Sequence, residues 1–456
     1  MQSRVFLLGI KGAAMANTAR MLHQRGYVIF GWDTKESFIT DTVLATFPYS
    51  MVGETLPENI DLAIYSAAHG GKNHPLMQQA DKRGITIMHQ VELMAQIEGA
   101  CTHRLAVAGC HGKTTTSALL SYVLTQLKQH PSYIVGVSQF MDQYGGNFDG
   151  TDYFVFEADE YGIQPPEDKT PKFLKFNPTH AIITNIDYDH PDMYQSINDV
   201  KKAFDRFMKK IVENGGKLVF CGENEHLSSI INSYPQGQVV RYGFTKQCDY
   251  VVSQIVVGTD ATKFSVNGHP FSIKLFGEKN ALNAAAVIAL LHMFGFSFED
   301  IATAIKAFSG AKRRFELVYE HAGSYLFDDY AHHPAEIRAT IQAARNRFPQ
   351  KKHIIVFQPH TYSRTVALAD DFVHALELAD YAYVLPIFGS ARERVETADI
   401  TTEELVTRSK KGNLAYATKE NVVDKLRKQF SDDERVIITM GAGDVYHLGK
   451  NIARIM

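Results

Sequence analysis

Along the chain, short apolar runs alternate with longer stretches whose apolar residues recur every three or four positions. Runs of the first kind suit strands buried on both faces, and the longer period suits helices laid against them. The pattern therefore predicts an α/β architecture with mostly parallel sheets. Three strand–loop–helix starts stand out. Residues 4–10 read as a strand, followed by Lys11-Gly12-Ala13-Ala14 and a helix to about Gln24. Residues 104–108 read as a second, followed by Gly109-Cys110-His111-Gly112-Lys113 and a helix from Thr114 to about Lys128. Residues 324–329 read as a third, followed by a histidine-rich turn and a helix opening near Pro334, where proline suits a first turn. Each start founds one expected domain: 1–100, 101–311 and 312–456. The first junction follows a helix over 91–97, and the second precedes Lys312-Arg313-Arg314.

Length agrees with that division, since 456 residues at about 150 per domain give three. Hydrophobic residues at 45% and charged ones at 21% exclude a disordered chain. Lys+Arg 47 against Asp+Glu 50 leaves a formal charge of −3, which excludes a general basic field for nucleic acid but leaves room for a local anion site. Cys101, Cys110, Cys221 and Cys248 show no CxxC spacing, which argues against a disulfide framework or a zinc cluster and fits a reducing compartment. The apolar run from Val5 is broken at Lys11, too short for the roughly 7–15-residue core of a signal peptide. No uncharged apolar stretch approaches the ~18 residues of a membrane span. A cytoplasmic chain without membrane insertion is expected.

The first loop, Gly9-Ile10-Lys11-Gly12, has Asp33 after a second strand at 27–31, as in a dinucleotide fingerprint whose glycines admit a pyrophosphate. The third glycine is missing. A nicotinamide site, a uridine-diphosphate or vestigial site, and a tight turn without ligand all stay open. The second loop, Gly109-Cys110-His111-Gly112-Lys113-Thr114-Thr115, is a shortened GxxGKT form. Its glycines let main-chain N–H groups converge on phosphate oxygens, Lys113 adds a cation for the β/γ phosphates, and the Thr114 hydroxyl can ligate Mg²⁺. A helix N-terminus contributes only about 0.3–1 kcal/mol to a bound anion, whereas enzymatic barriers fall by about 8 kcal/mol or more. Metal ions and positioning must supply the difference. Carboxylates for a metal end two apolar strands: Glu157-Ala158-Asp159-Glu160 after 153–156, and Asp187-Tyr188-Asp189-His190 after 181–184. Hard cations want oxygen ligands, so Glu157 and Thr114 are natural partners for Mg²⁺. By residue type alone, His190 reads as a capping or hydrogen-bonded loop histidine, and Cys110 as a small space-filler rather than a nucleophile.

GCHGKTTT, EADE, TNIDYDH, GEKNALNAAA at 277–286, KRRFE at 312–316 and DDYAHHPAE at 328–336 together resemble the Mur ligases, ATP-dependent amide-forming enzymes of peptidoglycan synthesis. FQPHTYSRT at 357–365 and TMGAGDVY at 439–446 resemble the alanine-adding branch of that family. The resemblance implies a Rossmann-like N-terminal domain for the UDP-sugar, a central P-loop domain for ATP, and a C-terminal dinucleotide-fold-like domain for the incoming amino acid. It implies phosphorylation of the lactyl carboxylate of UDP-N-acetylmuramate by ATP and attack by L-alanine on the acyl phosphate. Two Mg²⁺ ions are implied: one on Thr114 and Glu157, the second on His190. Gly109 through Thr115 would wrap the triphosphate, Asn280 and Asn283 would meet adenine, and Arg314 and Asp329 would reach ATP from the C-terminal domain. Gly9, Lys11 and Gly12 would meet the UDP-sugar. His333, His360 and Arg364 would line the amino-acid and acyl-phosphate end, with Lys113, Glu157, His190, Asp329 and Arg364 carrying the chemistry.

The chain departs from the family pattern at Lys11, Ala13 and Ala14 in the first loop, and at Lys279, where a histidine often precedes the adenine-contacting asparagine. The segment Glu160-Tyr161-Gly162-Ile163-Gln164-Pro165-Pro166, with Lys172-Phe173, resembles a recycling branch that attaches a tripeptide to the same UDP-sugar. Such a ligase is one alternative, and an ATP-dependent switch that no longer ligates is another.

Overall fold

In the computed structural model, which describes residues 2–389, 400–429 and 434–456, the chain is organised around three large sheets. The first comprises β1 (Arg4–Leu8), β2 (Val28–Trp32), β3 (Tyr49–Met51), β4 (Leu62–Tyr65) and β5 (Thr86–His89), in the order β3-β2-β1-β4-β5 with every pair parallel. Strand β1 stops two residues short of the expected end. Gly9 takes φ +75° and turns the chain, and the Gly9 and Ile10 amides both donate to the Trp32 carbonyl, at 2.8 and 3.1 Å. Helix α1 (Ala13–Gln24) follows.

The second sheet has ten strands. They are β6 (His103–Ala108), β7 (Ser132–Phe140), β8 (Gln143–Asn147), β9 (Tyr153–Ala158), β12 (His180–Ile183), β13 (Lys217–Cys221), β14 (Val239–Gly243), β15 (Tyr250–Val257), β16 (Thr262–Val266) and β17 (His269–Ile273). Between β9 and β12 a separate hairpin forms from β10 (Gly162–Gln164) and β11 (Asp168–Pro171). From β7 through β9, β6, β12, β13 and β14 to β15 the pairs are parallel, and antiparallel strands extend both ends. In β6, Leu105 and Val107 pack with Leu119 and Val123, while Ala106 and Ala108 pack with Phe154, Phe156 and Phe204 on the other face. Burial on both faces is why this strand reads as a continuous apolar run. Each fully buried phenylalanine of this kind contributes about 1.5–3 kcal/mol relative to exposure.

The third sheet orders β18 (Glu316–His321), β19 (Ser324–Asp329), β20 (Lys352–Phe357), β21 (Tyr381–Val384), β22 (Leu414–Tyr416) and β23 (Arg435–Met440) as β18-β19-β23-β20-β21-β22. It is antiparallel only at β18–β19. Loops leaving the carboxyl ends of β6, β9, β12, β19 and β20 meet at one place, the position at which open α/β sheets receive ligands. All four cysteines are free and buried, and among the described residues no helix is long and apolar enough to cross a membrane.

Candidate active site

The loop between β6 and the helix Lys113–Gln126 is the centre of the site. Gly109, at φ +137°, cannot carry a side chain, since a Cβ there would lie 2.0 Å from the Thr184 hydroxyl. The end of β12 pins the loop. His111 N donates to Asn185 Oδ1 at 2.9 Å, and the Thr184 hydroxyl and Asn185 amide donate to the His111 carbonyl at 2.6 and 2.8 Å. The helix begins one residue before the expected Thr114, behind Gly112 at φ +83°. No side chain caps it, so its first amides are left for an anion. Cys110 sits buried with its sulfur 3.2 Å from the Asp187 carbonyl, and burial pushes its thiol well above the ordinary range, which suits a filler and not a nucleophile.

Lys113 Nζ donates to the Gly109 carbonyl at 2.6 Å and to Glu160 Oε2 at 2.8 Å. Burial opposes its charge, but Glu160 and then Asp159 outweigh burial and hold the ammonium above its usual range. Glu157 accepts from Gly136 N at 2.6 Å, from Thr114 Oγ1 at 3.1 Å and from Ser117 Oγ at 3.3 Å. His190 lies apart from that pair, its Nε2 at 3.6 Å from Glu160 and 3.7 Å from Asp189. Burial works against a charge on His190, yet Asp189 and Glu160 together raise its pKa.

The C-terminal domain reaches into the loop from the other side. Arg314 Nη2 donates to Thr114 Oγ1 at 3.0 Å. Asp329 accepts from Ala331 N at 2.8 Å, Thr340 Oγ1 at 3.0 Å and Phe315 N at 3.1 Å, and burial pushes its carboxyl up to about 6. His333 begins the helix Pro334–Arg347, accepts from Ala335 N at 3.3 Å through Nδ1, and so presents Nε2–H to the Tyr188 carbonyl at 3.1 Å. Arg364 places Nε and Nη2 at 2.9 and 2.8 Å from Asp189 Oδ1, and Nη1 donates to the His360 carbonyl at 2.9 Å. Asp189 is held well below the carboxylate range: burial opposes this, and His190 and Arg364 overcome it.

Two cavities flank this cluster. One of about 740 Å³ is lined by Gly112, Thr115, Asn280, Asn283, Arg314 and Asp329 among others, with Lys279 on its wall donating to the Ala335 carbonyl at 3.2 Å. The other, of about 900 Å³, is lined by Tyr161, Lys172, His190, Tyr330, His360 and Arg364 among others. Apart from Gly9, Lys11 and Gly12, the expected site residues lie on the loop 109–115, on the wall of one of these two cavities, or in contact with the loop, as Glu157 does through Thr114 and His333 through the ring of His111. Lys11 Nζ donates to the Glu36 carbonyl at 2.5 Å, and its amide donates to Asp33 Oδ2 at 2.7 Å. Asp33, the acid of the fingerprint, holds its own loop and His69 (3.3 Å), next to Ala68 on the wall of the second cavity.

Four acids that the sequence shows only within its carboxylate segments or the DDYAHHPAE motif, without a partner for any of them, complete the site. Glu160 pairs with Lys113, Asp189 pairs with Arg364, and Asp187 and Glu336 lie 3.1 and 3.5 Å from the two nitrogens of His111. Glu336 carried a readable signal, since it stands three residues after the capping His333, the spacing of a capping box.

A phosphate loop between carboxylate-bearing strand ends, reached by arginines of a third domain, is the equipment of an ATP-dependent ligase built from three α/β domains. The chain belongs to the Mur ligase family. Family models match at residues 4–100 (Mur ligase family, catalytic domain), 107–291 (Mur ligase middle domain) and 313–443 (Mur ligase, glutamate ligase domain). A UDP-N-acetylmuramate–L-alanine ligase of Streptococcus thermophilus is 37% identical over 454 residues, covering 98% of this chain and 96% of that one. A Streptococcus pneumoniae enzyme of the same name is 36% identical, covering 100% and 98%. The crystal structure of UDP-N-acetylmuramate-alanine ligase MurC from Thermotoga maritima superposes with TM-score 0.78 at 26% identity, over 99% of this chain and 98% of that one. A murein peptide ligase from Psychrobacter arcticus shares the fold, with TM-score 0.73 at 21% identity over 99% and 98%.

Proposed function

We propose that this chain joins L-alanine to the lactyl carboxylate of UDP-N-acetylmuramate, using ATP, in the synthesis of a peptidoglycan precursor in the cytoplasm. The full-length likeness to ligases of that name supports the reaction. The observation that carries its chemistry is the meeting of Lys113, Glu160, His190 and Arg364 between the two cavities, one bordered by the phosphate loop and the other by cationic side chains. ATP takes the first cavity, its phosphates on the amides of residues 109–115 and on Lys113 and Arg314, its base beside Asn280 and Asn283. Asp329 sets the loop that carries Arg314. The UDP-sugar is received by the first domain through Gly9, Lys11 and Gly12, with its muramate carboxylate at His190. L-Alanine lies at His333, His360 and Arg364. Domains 1–100, 101–311 and 312–456 divide the work.

Two groups of side chains fit magnesium. The Thr114 hydroxyl and Glu157 carboxylate, 3.1 Å apart, offer hard oxygen donors. His190 with Glu160 and Asp189 brings three ligand atoms within 4.8 Å of one another. When bound there, the ions supply charge neutralisation for the triphosphate and the acid that must approach it. The carboxylate oxygen attacks the γ-phosphorus and ADP leaves. The amine nitrogen then attacks the acyl carbon, and the C–O bond to phosphate breaks, so one oxygen of the acid ends in inorganic phosphate. Lys113 and Arg314 hold the charge that spreads over the transferred group. Holding amine and acyl phosphate together is worth up to about 7–11 kcal/mol. The test supplies ¹⁸O in the lactyl carboxylate, with ATP and either L-alanine, glycine, L-serine or a tripeptide. Label in phosphate and greatest turnover with L-alanine are expected; unlabelled phosphate, or faster turnover with tripeptide, overturns the reading.

A further inference from the structure

We propose that Asn17, on helix α1 of the first domain, is a positioning residue for the Glu157 carboxylate of the second. The proposal rests on the reading of Glu157 as a magnesium ligand. Strand β7 pairs with β9 as far as Ile134 and then leaves register. Ile134 faces Gly146 and Gln139 faces Tyr144, so residues 135–138 arch over Gly145 alone. An arch of this kind takes its carbonyls out of the ladder and leaves them in need of donors. Asn17, buried without any exposed surface, supplies them: Nδ2 donates to the Val135 carbonyl at 2.9 Å and to the Val137 carbonyl at 2.8 Å. These carbonyls stand on either side of Gly136, whose own amide donates to Glu157 Oε1 at 2.6 Å. One side-chain amide from the first domain thus holds the Val135–Gly136 peptide, whose N–H is the donor to the metal carboxylate, and the Val137–Ser138 peptide that follows it in the arch.

The fit is built into both partners. A Cβ at Gly145 would lie 2.0 Å from the Val137 carbonyl oxygen and 2.5 Å from Asn17 Nδ2, and a Cβ at Gly146 would lie 2.3 Å from the Asn17 carbonyl oxygen. The glycine pair lets the backbone of α1 come down onto the hairpin. Both acceptors are carbonyls, so only a donor serves at position 17, and an aspartate there would turn a negative charge on them. Other contacts dock the same helix without touching the arch: Gln24 Nε2 donates to Asn147 Oδ1 at 2.9 Å and its Oε1 accepts from Phe148 N at 2.8 Å.

Full-length protein is titrated with Mn²⁺ in the presence of a non-hydrolysable ATP analogue, free Mn²⁺ being read by electron paramagnetic resonance, and the Mg²⁺ dependence of turnover is measured alongside. Loss of a group that orients a metal ligand weakens metal binding by about 10–100-fold. Asn17→Ala is expected to weaken Mn²⁺ binding by about tenfold, with Glu157→Gln weaker still, while Gln24→Ala binds like the parent and metal-free nucleotide affinity stays constant. Parental Mn²⁺ affinity in Asn17→Ala beside a weakened Glu157→Gln overturns the proposal. So does a Gln24→Ala defect as large as that of Asn17→Ala, which would mean a loosened interface and nothing more. If Glu157→Gln itself binds Mn²⁺ normally, the assignment of Glu157 falls, and the proposal with it. Should Asn17→Ala not fold, Asn17→Ser, which keeps one donor, carries the test: an intermediate loss supports the proposal and parental affinity overturns it.

Discussion

Lys113 and His111 sit three positions from Cys110 and next to it, yet they differ in what their charges depend on. Lys113 is tied to Glu160, whose side chain has 1% exposure, so the pair is a buried one. Replacing only one member leaves an uncompensated buried charge, at a cost of about 3–5 kcal/mol. Lys113→Ala is therefore expected to lower thermal stability and to cut acyl-phosphate formation by about 10²–10³-fold, measured by calorimetry and phosphate release. Lys113→Met combined with Glu160→Gln should recover the stability and not the activity, which separates the two roles. His111 is governed by a different balance. Burial disfavours its charge, but Asp187 and Glu336 prevail and raise its pKa from 6.5 to about 9. Because the folded value exceeds the unfolded one, the stabilisation is complete below pH 6.5 and is lost as pH rises through about 9. The melting temperature should fall across that window in the parent, and the fall should be smaller in His111→Gln.

At the scale of elements, what could be read in advance was what local pattern decides. The strand β6, the glycine loop and the helix after it were legible because apolar period, glycine and lysine all agree there. The strand Ser324–Asp329 and the helix begun at Pro334 were legible from an apolar run and a first-turn proline. The ends were less legible. Residues 9 and 10 are apolar enough to continue β1, but the turn at Gly9 hands their amides to Trp32. The hairpin of β10 and β11 and the arch in β7 left no trace, since the partner that stabilises the arch lies 118 residues away at Asn17. Likewise Glu160, Asp187 and Asp189 were visible only as acids at strand ends; which cation each meets depends on how separate loops converge, two of them within the central domain for Glu160 and Asp187, and one from the C-terminal domain for Asp189. The phosphate loop itself offers a direct test. Gly109→Ala would place a methyl on the Thr184 hydroxyl at a backbone angle that L residues avoid, a strain of about 1–3 kcal/mol. ATP affinity measured by calorimetry is expected to drop at least about tenfold while far-ultraviolet circular dichroism stays close to the parent.

The whole molecule depends on the C-terminal domain remaining against the central one. Arg314 on Thr114, His333 on the Tyr188 carbonyl, Lys279 on the Ala335 carbonyl and Arg364 on Asp189 all cross that boundary. Three of these are single hydrogen bonds with modest net worth, about 0.5–1.5 kcal/mol between neutral groups and about 1.5–3 kcal/mol where a charge takes part. Arg364 is different. Its guanidinium and the Asp189 carboxylate are each 5% exposed, burial opposes both charges, and their mutual attraction still raises the one pKa and depresses the other. A pair of that kind is strongly destabilising to break, because the surviving charge is left without a partner. Opening the domains lets Asp189 regain water at once, so release of the interface is the easier escape than unfolding of either domain. Arg364→Ala should accordingly populate an open form: a larger radius of gyration in small-angle X-ray scattering, turnover reduced by about 10²-fold or more, and near-parental melting of the central domain. Arg364→Lys keeps the charge but not the two-nitrogen grip on Asp189 Oδ1, and should fall between the two in both measurements. Compact scattering from Arg364→Ala would mean that the remaining contacts suffice to hold the domains together, and that Arg364 acts on the substrate alone.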